Sequence, residues 1–210
     1  MTTTPRTGGD ILDLAPVMPV VVLHDAGAAV PLARALVAGG LPGIEVTLRT
    51  PAALDAIERI AAEVPEAVVG AGTVTTPDQA AAAAKAGARF LVSPGSTAAL
   101  AAAMTDTGLP FLPGVSTVSE ALALLEHGVS ELKFFPAEAA GGAAFLKSLS
   151  GPLPQVRFCP TGGITPASAP DYLALPNVGC VGGSWLTPAD AVAAGDWGRV
   201  TDLARQAAAL

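Results

Sequence analysis

The chain of 210 residues has three lysines, and their surroundings differ. Lys85 ends an alanine-rich stretch just before Gly87, and Lys147 lies in another such stretch, so both suit a solvated helix surface. Lys133 stands inside the apolar run Glu131-Leu-Lys-Phe-Phe-Pro136. In an extended chain the side chains alternate, so Leu132 and Phe134 share one face while Glu131, Lys133 and Phe135 share the other. A lysine held on an interior face has to be paired, neutral or reactive. The run Gly43-Ile-Glu-Val-Thr-Leu-Arg-Thr50 divides in the same way, with Ile44, Val46 and Leu48 against Glu45, Thr47 and Arg49. Two readings follow. One is a structural Lys133–Glu45 ion pair. The other is a nucleophilic amine that forms a Schiff base with a carbonyl substrate. Lysine's reference pKa of ~10.4 leaves about one amine in a thousand unprotonated near neutrality, so that chemistry needs help from its surroundings.

Three glycine-bearing turns accompany these residues. Ala71-Gly72-Thr73 follows the third apolar run, Pro160-Thr161-Gly162-Gly163-Ile164 the seventh, and Gly182-Gly183-Ser184 the eighth. Glycine lets backbone N–H groups approach an anion, and a helix that follows adds a favourable dipole. A single Gly-Gly pair suits any tight turn, but two at the ends of the seventh and eighth runs match the phosphate site common in barrels. One carboxylate, one interior lysine, one arginine and an oxyanion cradle suit a phosphorylated substrate that carries both a carbonyl and a carboxylate.

These residues need a scaffold that brings five runs together, and the chain repeats one plan. Apolar, β-branched runs fall near 17–23, 44–48, 67–71, 89–93, 110–113, 131–135, 156–160 and 178–182. Alanine- and leucine-rich stretches near 27–38, 51–63, 77–86, 97–106, 117–127, 139–149, 167–174 and 188–207 read as helices. Thr-Pro pairs at 50–51, 76–77, 165–166 and 187–188 are expected to start helices, the threonine capping and the proline at the first helical position. Thr117 and Glu120 form a capping box, and glycines at 39–40, 87, 108 and 128 sit where helices should end. Eight strand–helix units predict an α/β fold, a single-domain (β/α)8 TIM barrel whose site lies at the C-terminal ends of its strands. A doubly wound open sheet is the alternative, but Leu23-His-Asp-Ala-Gly27 after the first run is not a dinucleotide loop.

Composition narrows the function classes. The chain is 51% hydrophobic and only 14% charged, with net charge -7, 23 Gly and 19 Pro. It has too few charges for a disordered chain and no basic patch for nucleic acid. Its mean hydropathy is high at +0.53. Yet the stretch Leu14–Leu23 is about half the ~20 residues that a spanning helix needs. Residues 1–10 show no signal-peptide pattern, so a cytoplasmic protein is expected. Cys159 and Cys180 have no metal or redox spacing and read as buried thiols. Neither His24 nor His127 has a ligand at metal-binding spacing, so no metal is expected.

The ordered motifs Glu45-Val-Thr-Leu-Arg49, Gly70-Ala-Gly-Thr73, Val92-Ser-Pro94-Gly, Pro113-Gly-Val-Ser-Thr117, Glu131-Leu-Lys133-Phe-Phe-Pro-Ala-Glu138, Arg157-Phe-Cys-Pro-Thr161-Gly-Gly-Ile and Gly182-Gly-Ser184-Trp resemble the 2-keto-3-deoxy-6-phosphogluconate (KDPG) aldolases of the Entner–Doudoroff pathway. The resemblance runs from about Pro16 to the C-terminus. It implies a barrel domain over 16–210, with residues 1–15 left as an N-terminal arm. It also implies a class I aldolase, without metal or cofactor, that splits a phosphorylated keto acid into pyruvate and glyceraldehyde 3-phosphate. Sister enzymes act on the phosphogalactonate epimer or on 4-hydroxy-2-oxoglutarate. By resemblance Lys133 forms the Schiff base and Glu45 relays protons, while Arg49 and Thr73 hold the pyruvyl carboxylate. Thr161 matches a position linked to stereochemical preference. Gly162, Gly163, Gly183 and Ser184 match the phosphate cradle, and Pro94 and Phe135 the wall around the imine. A homotrimer is implied as well. An isomerase or synthase barrel without an imine, or a non-catalytic phosphosugar-binding subunit, are the competing readings.

Overall fold

Short β-branched runs and alanine-rich stretches take turns along the chain, and the computed structural model, which describes residues 5–210, turns them into alternating strands and helices. The strands are β1 Val17–Val21, β2 Gly43–Thr47, β3 Val68–Gly72, β4 Leu91–Val92, β5 Phe111–Leu112, β6 Gly114–Val115, β7 Glu131–Phe134, β8 Arg157–Pro160 and β9 Val181–Gly183. All registered pairs are parallel. One sheet runs β5-β4-β3-β2-β1-β9 and a second runs β6-β7-β8. Isolated parallel bridges, Phe158 to Val178 and Thr161 to Gly182, tie β8 towards β9. At the other edge Lys133 N donates to Pro113 O at 2.9 Å. The result is an α/β fold with a parallel sheet curled into a half-barrel. The single run expected over 110–113 appears as two short strands around Pro113, whose ring nitrogen has no proton to donate to a ladder.

Alternation along the strands decides what fills each side. Val17, Val21, Ile44, Val46, Val69, Ala71, Leu132, Phe134 and Phe158 join the helices in one large core. Their neighbours Met18, Val68, Val92, Leu112, Cys159 and Cys180 form a smaller cluster within the curl. Ile11 and Leu12 complete that inner cluster, both fully buried. They come from a short helix, α1 Gly8–Leu12, inside the stretch expected to be an arm; residues 1–4 of that stretch lie outside the described residues. Thr7 and Asp10 cap α1 reciprocally, so five residues hold a helix that packs under β5, β7 and β8.

The remaining helices are α2 Ala29–Ala38, preceded by a 3-10 turn at Ala26–Ala28, α3 Ala53–Glu63, α4 Pro77–Lys85, α5 Ala98–Asp106, α6 Val118–Glu126, α7 Gly142–Leu149, α8 Ala169–Leu173, α9 Ala189–Ala194 and α10 Trp197–Ala208. Only one Thr-Pro pair acts as expected: Thr76 caps α4 and Pro77 opens it. The Thr50 hydroxyl is taken by Leu23 O, and α3 starts later. Thr165 bonds Ser168 in a turn before α8, and Pro188 itself precedes α9. The helix expected over 188–207 is broken at Gly195, which has left-handed φ 65, and restarts behind the Asp196 cap.

Candidate active site

Strand β2 is buried along its whole length, yet it carries Glu45, and β7 carries Lys133. The two are only 1% and 3% exposed, and they meet across the interior of the curl. Lys133 Nζ donates to Glu45 Oε1 at 3.1 Å, with Oε2 at 3.5 Å. Two charges taken out of water are tolerated only when they satisfy one another. The ion pairs Arg59–Glu63, Arg157–Asp13 and Arg199–Asp190 all lie at the surface by comparison. Lys133 Nζ also sits 5.5 Å from the centroid of the Phe135 ring, two residues further along the same face.

Glycine makes room for this contact. Gly72, paired with Thr47 in the β2–β3 register, would place a Cβ 2.1 Å from Glu45 Oε1. Any side chain there would force Glu45 to move. Thr47, expected to face inward with Glu45, gives its hydroxyl to Val21 O at 2.9 Å and so serves the β1–β2 join.

Above the pair, the C-terminal ends of the strands gather polar groups. Arg49, just past β2, donates from Nε to Thr73 Oγ1 at 3.1 Å. Thr73 stands after β3 with φ 57, a left-handed conformation seldom taken by a residue with a branched side chain. Thr161 is buried at the end of β8, and Gly162 and Gly163 follow with φ 104 and 81, which only glycine adopts without strain. Gly182 lies so close that a Cβ on it would fall 2.2 Å from Thr161 Oγ1.

Arg49, Phe135, Thr161, Gly162, Gly163 and Ser184 line a cleft of about 180 Å³, together with Val20, Ile164 and Gly182. Five of the expected residues are not on that lining. Lys133 and Glu45 are buried in the interior as a pair. Thr73 reaches the cleft through Arg49. Pro94 follows β4, its backbone packed against Gly114. Gly183 turns towards the Trp185 ring, and it is Gly182 that faces the cleft. Ile164 and Gly182 belong to two of the expected glycine turns without having been assigned a role of their own, and Val20 lies outside them. Val20 stands in register with Glu45 on the neighbouring strand, a pairing that only the structure reveals. A larger cavity of about 370 Å³ opens on the other side of Val20 and Ser184, beside α9, but it holds neither lysine nor arginine. The smaller cleft has Arg49 and the glycine turns, so it is the candidate site.

The two cysteines face each other on the inner side of β8 and before β9. Their mutual hydrogen bond and burial push the Cys180 thiol well above the ordinary range. Among the described residues, no three of His, Cys, Asp and Glu gather in a way that could hold a metal ion. No described helix is long and apolar enough to cross a membrane.

Comparison with known proteins bears on this geometry. The family model for KDPG and KHG aldolase matches residues 9–203, so the match begins inside the stretch expected to be an arm. The KHG/KDPG aldolase of Escherichia coli strain K12 is 57% identical over 197 residues, covering 94% of this chain and 92% of that protein. The 2-dehydro-3-deoxy-phosphogluconate aldolase of Zymomonas mobilis is 51% identical over 200 residues, 95% of this chain and 94% of its own length. The KDPG aldolase of Legionella pneumophila, with pyruvate captured at low pH as a covalent carbinolamine, superposes with TM-score 0.94 at 46% identity, over 96% of this chain and 98% of that one. With a family model that matches nearly the whole length and relatives more than half identical along it, the chain belongs to the KDPG and KHG aldolase family.

Proposed function

We propose that the protein is a class I aldolase that cleaves 2-dehydro-3-deoxy-6-phosphogluconate to pyruvate and D-glyceraldehyde 3-phosphate. We read it as a cytoplasmic homotrimer that needs neither metal nor cofactor. We also read the two sheets as one (β/α)8 barrel over residues 16–210, with β5 and β6 as a single strand, and residues 1–15 as an N-terminal arm whose helix α1 closes the base. The observation that carries the functional reading is the buried contact of 3.1 Å between Lys133 Nζ and Glu45 Oε1 below a cleft lined by Arg49 and glycine turns. An amine and a carboxyl group within hydrogen-bond reach can exchange a proton without moving apart.

The steps follow from that pair. The neutral Lys133 amine adds to the C2 carbonyl, and Glu45 delivers the proton that lets the carbinolamine oxygen leave as water. The resulting iminium is an electron sink. Glu45, now a carboxylate, takes the proton of the C4 hydroxyl, directly or through a water molecule. The C3–C4 electron pair moves into the iminium to give an enamine, and C4 leaves as the aldehyde. The enamine takes a proton at C3, and water hydrolyses the imine to free pyruvate and Lys133. Arg49, oriented by Thr73, binds the carboxylate of the substrate. Thr161 faces the reacting hydroxyl carbon, Phe135 walls the imine, and Gly162, Gly163, Gly182 and Ser184, which line the cleft, cradle the phosphate.

A lactate dehydrogenase-coupled assay for pyruvate tests the reading, run with the phosphogluconate substrate, its phosphogalactonate epimer and 4-hydroxy-2-oxoglutarate. Release of pyruvate from the first is the expected result. Silence with all three would overturn it in favour of a barrel that binds such molecules without cleaving them.

A further inference from the structure

Gly162 and Gly163 both stand at positive φ, and two such residues in a row are soft, with more backbone freedom to lose than any other pair. A turn that binds an anion by its shape has to be held by something outside itself. The loop after β7 does this. Ala137 N donates to Thr161 O at 2.8 Å, and Glu138 N donates to Gly162 O at 3.1 Å. The Glu138 side chain then lies flat against the turn, its Cγ 2.7 Å and its Cβ 2.8 Å from where a Cβ on Gly163 would be. Its carboxylate is pinned in turn, for Oε1 accepts the Tyr172 hydroxyl at 2.8 Å. Tyr172 is 1% exposed and belongs to α8, the helix that the glycine turn leads into. A closed circuit results, from the turn to α8, through Tyr172 to Glu138, and back to the turn.

We propose that Glu138 is a positioning residue for the substrate phosphate, its side chain anchored by Tyr172 and wedged against the Gly162–Gly163 turn. This rests on reading that turn as part of the phosphate cradle. A bare carboxylate beside a dianionic phosphate would repel it. Here one oxygen is engaged by a hydroxyl donor, and the aliphatic stem is the part that touches the turn. Burial, followed by the hydrogen bond and charge of Glu138, pushes the Tyr172 hydroxyl far above the ordinary phenol range. It therefore remains a donor throughout the working pH range.

The test uses Glu138→Ala, Tyr172→Phe and Glu138→Gln with two readouts. One is steady-state cleavage of the phosphorylated substrate. The other is exchange of pyruvate methyl protons in D2O, which passes through the enamine and involves no phosphate. Glu138→Ala and Tyr172→Phe should raise KM for the phosphorylated substrate about tenfold, the scale of one charge-assisted hydrogen bond, with kcat changed by less than about twofold. Pyruvate exchange should stay at the wild-type rate. Glu138→Gln keeps the stem and a carbonyl acceptor, so it should behave as wild type. If the variants slow both readouts equally, or leave KM unchanged, the inference is wrong. The wild-type protein separates the two levels of the argument. If inorganic phosphate does not compete with the phosphorylated substrate, the cradle reading itself falls. If it competes and the variants keep their KM, only the role of Glu138 falls.

Discussion

Gly72→Ala is the perturbation that most directly loads the Glu45–Lys133 contact without touching either residue. The added Cβ would stand 2.1 Å from Glu45 Oε1, 2.4 Å from its Cγ and 2.6 Å from its carboxyl carbon. Gly72 is outside the left-handed region, so alanine can take its backbone conformation and the whole effect is steric. Ordinary contact begins near 3.4 Å, so the carboxylate has to retreat by about 1.3 Å. The present Nζ–Oε1 distance is 3.1 Å, and a displacement of that size spoils the distance or the angle of this hydrogen bond. Misplacing a catalytic group by ~1 Å costs about 100-fold in rate, and forcing a methyl group into a packed interior costs about 1–3 kcal/mol. The coupled pyruvate assay should therefore show kcat lower by about 100-fold, with a folded protein by urea titration. Borohydride should still trap pyruvate on Lys133, more slowly, because the amine itself is untouched. A folded Gly72→Ala protein whose kcat stays within about threefold of wild type would refute the reasoning.

Three more expectations follow from the same packing. Gly182→Ala would push a methyl group to 2.2 Å from Thr161 Oγ1. The ratio of kcat/KM between the phosphogluconate and phosphogalactonate epimers should then change by about tenfold, the scale of one displaced polar contact. Lys133→Met leaves the buried Glu45 carboxylate without its cation, which should cost about 3–5 kcal/mol in urea unfolding, and Lys133→Met with Glu45→Leu should recover most of the loss. Hydrogen bonds from Ser116 N, and then from the neighbouring Thr117, hold the Glu120 carboxyl below the usual range. A depressed folded pKa stabilises above the unfolded value of ~4.3, and the effect disappears as pH falls through the folded one. Wild type should thus exceed Glu120→Gln in urea midpoint at neutral pH, and the gap should close in acid.

The sequence showed the polar members of the site because strand alternation exposes them. A charged residue inside an apolar run is conspicuous, and Glu45 and Lys133 meet across the interior as two such residues. Val20 was hidden because β1 is apolar on both faces, so nothing in Val17–Val21 marks which residues look towards the site. Gly182 and Gly183 cannot be told apart by type, and only the neighbouring Thr161 and Trp185 side chains distinguish them. The Thr-Pro pairs misled for a related reason. An identical dipeptide starts a helix at Thr76, where the hydroxyl is free to cap, and not at Thr50, where Leu23 O claims it. Helix α1 was too short for periodicity to reveal. Its Thr7–Asp10 cap was the available signal, and its Ile11 and Leu12 show why the stretch matters to the inner core.

The account turns on whether Lys133 is a nucleophile or only half of an ion pair. Reduction with borohydride in the presence of pyruvate, followed by peptide mass mapping, answers that directly. The account predicts one reduced pyruvyl group per chain, on the peptide that carries Lys133, and none in Lys133→Ala. No adduct, or an adduct on the exposed Lys85 or Lys147, would contradict it.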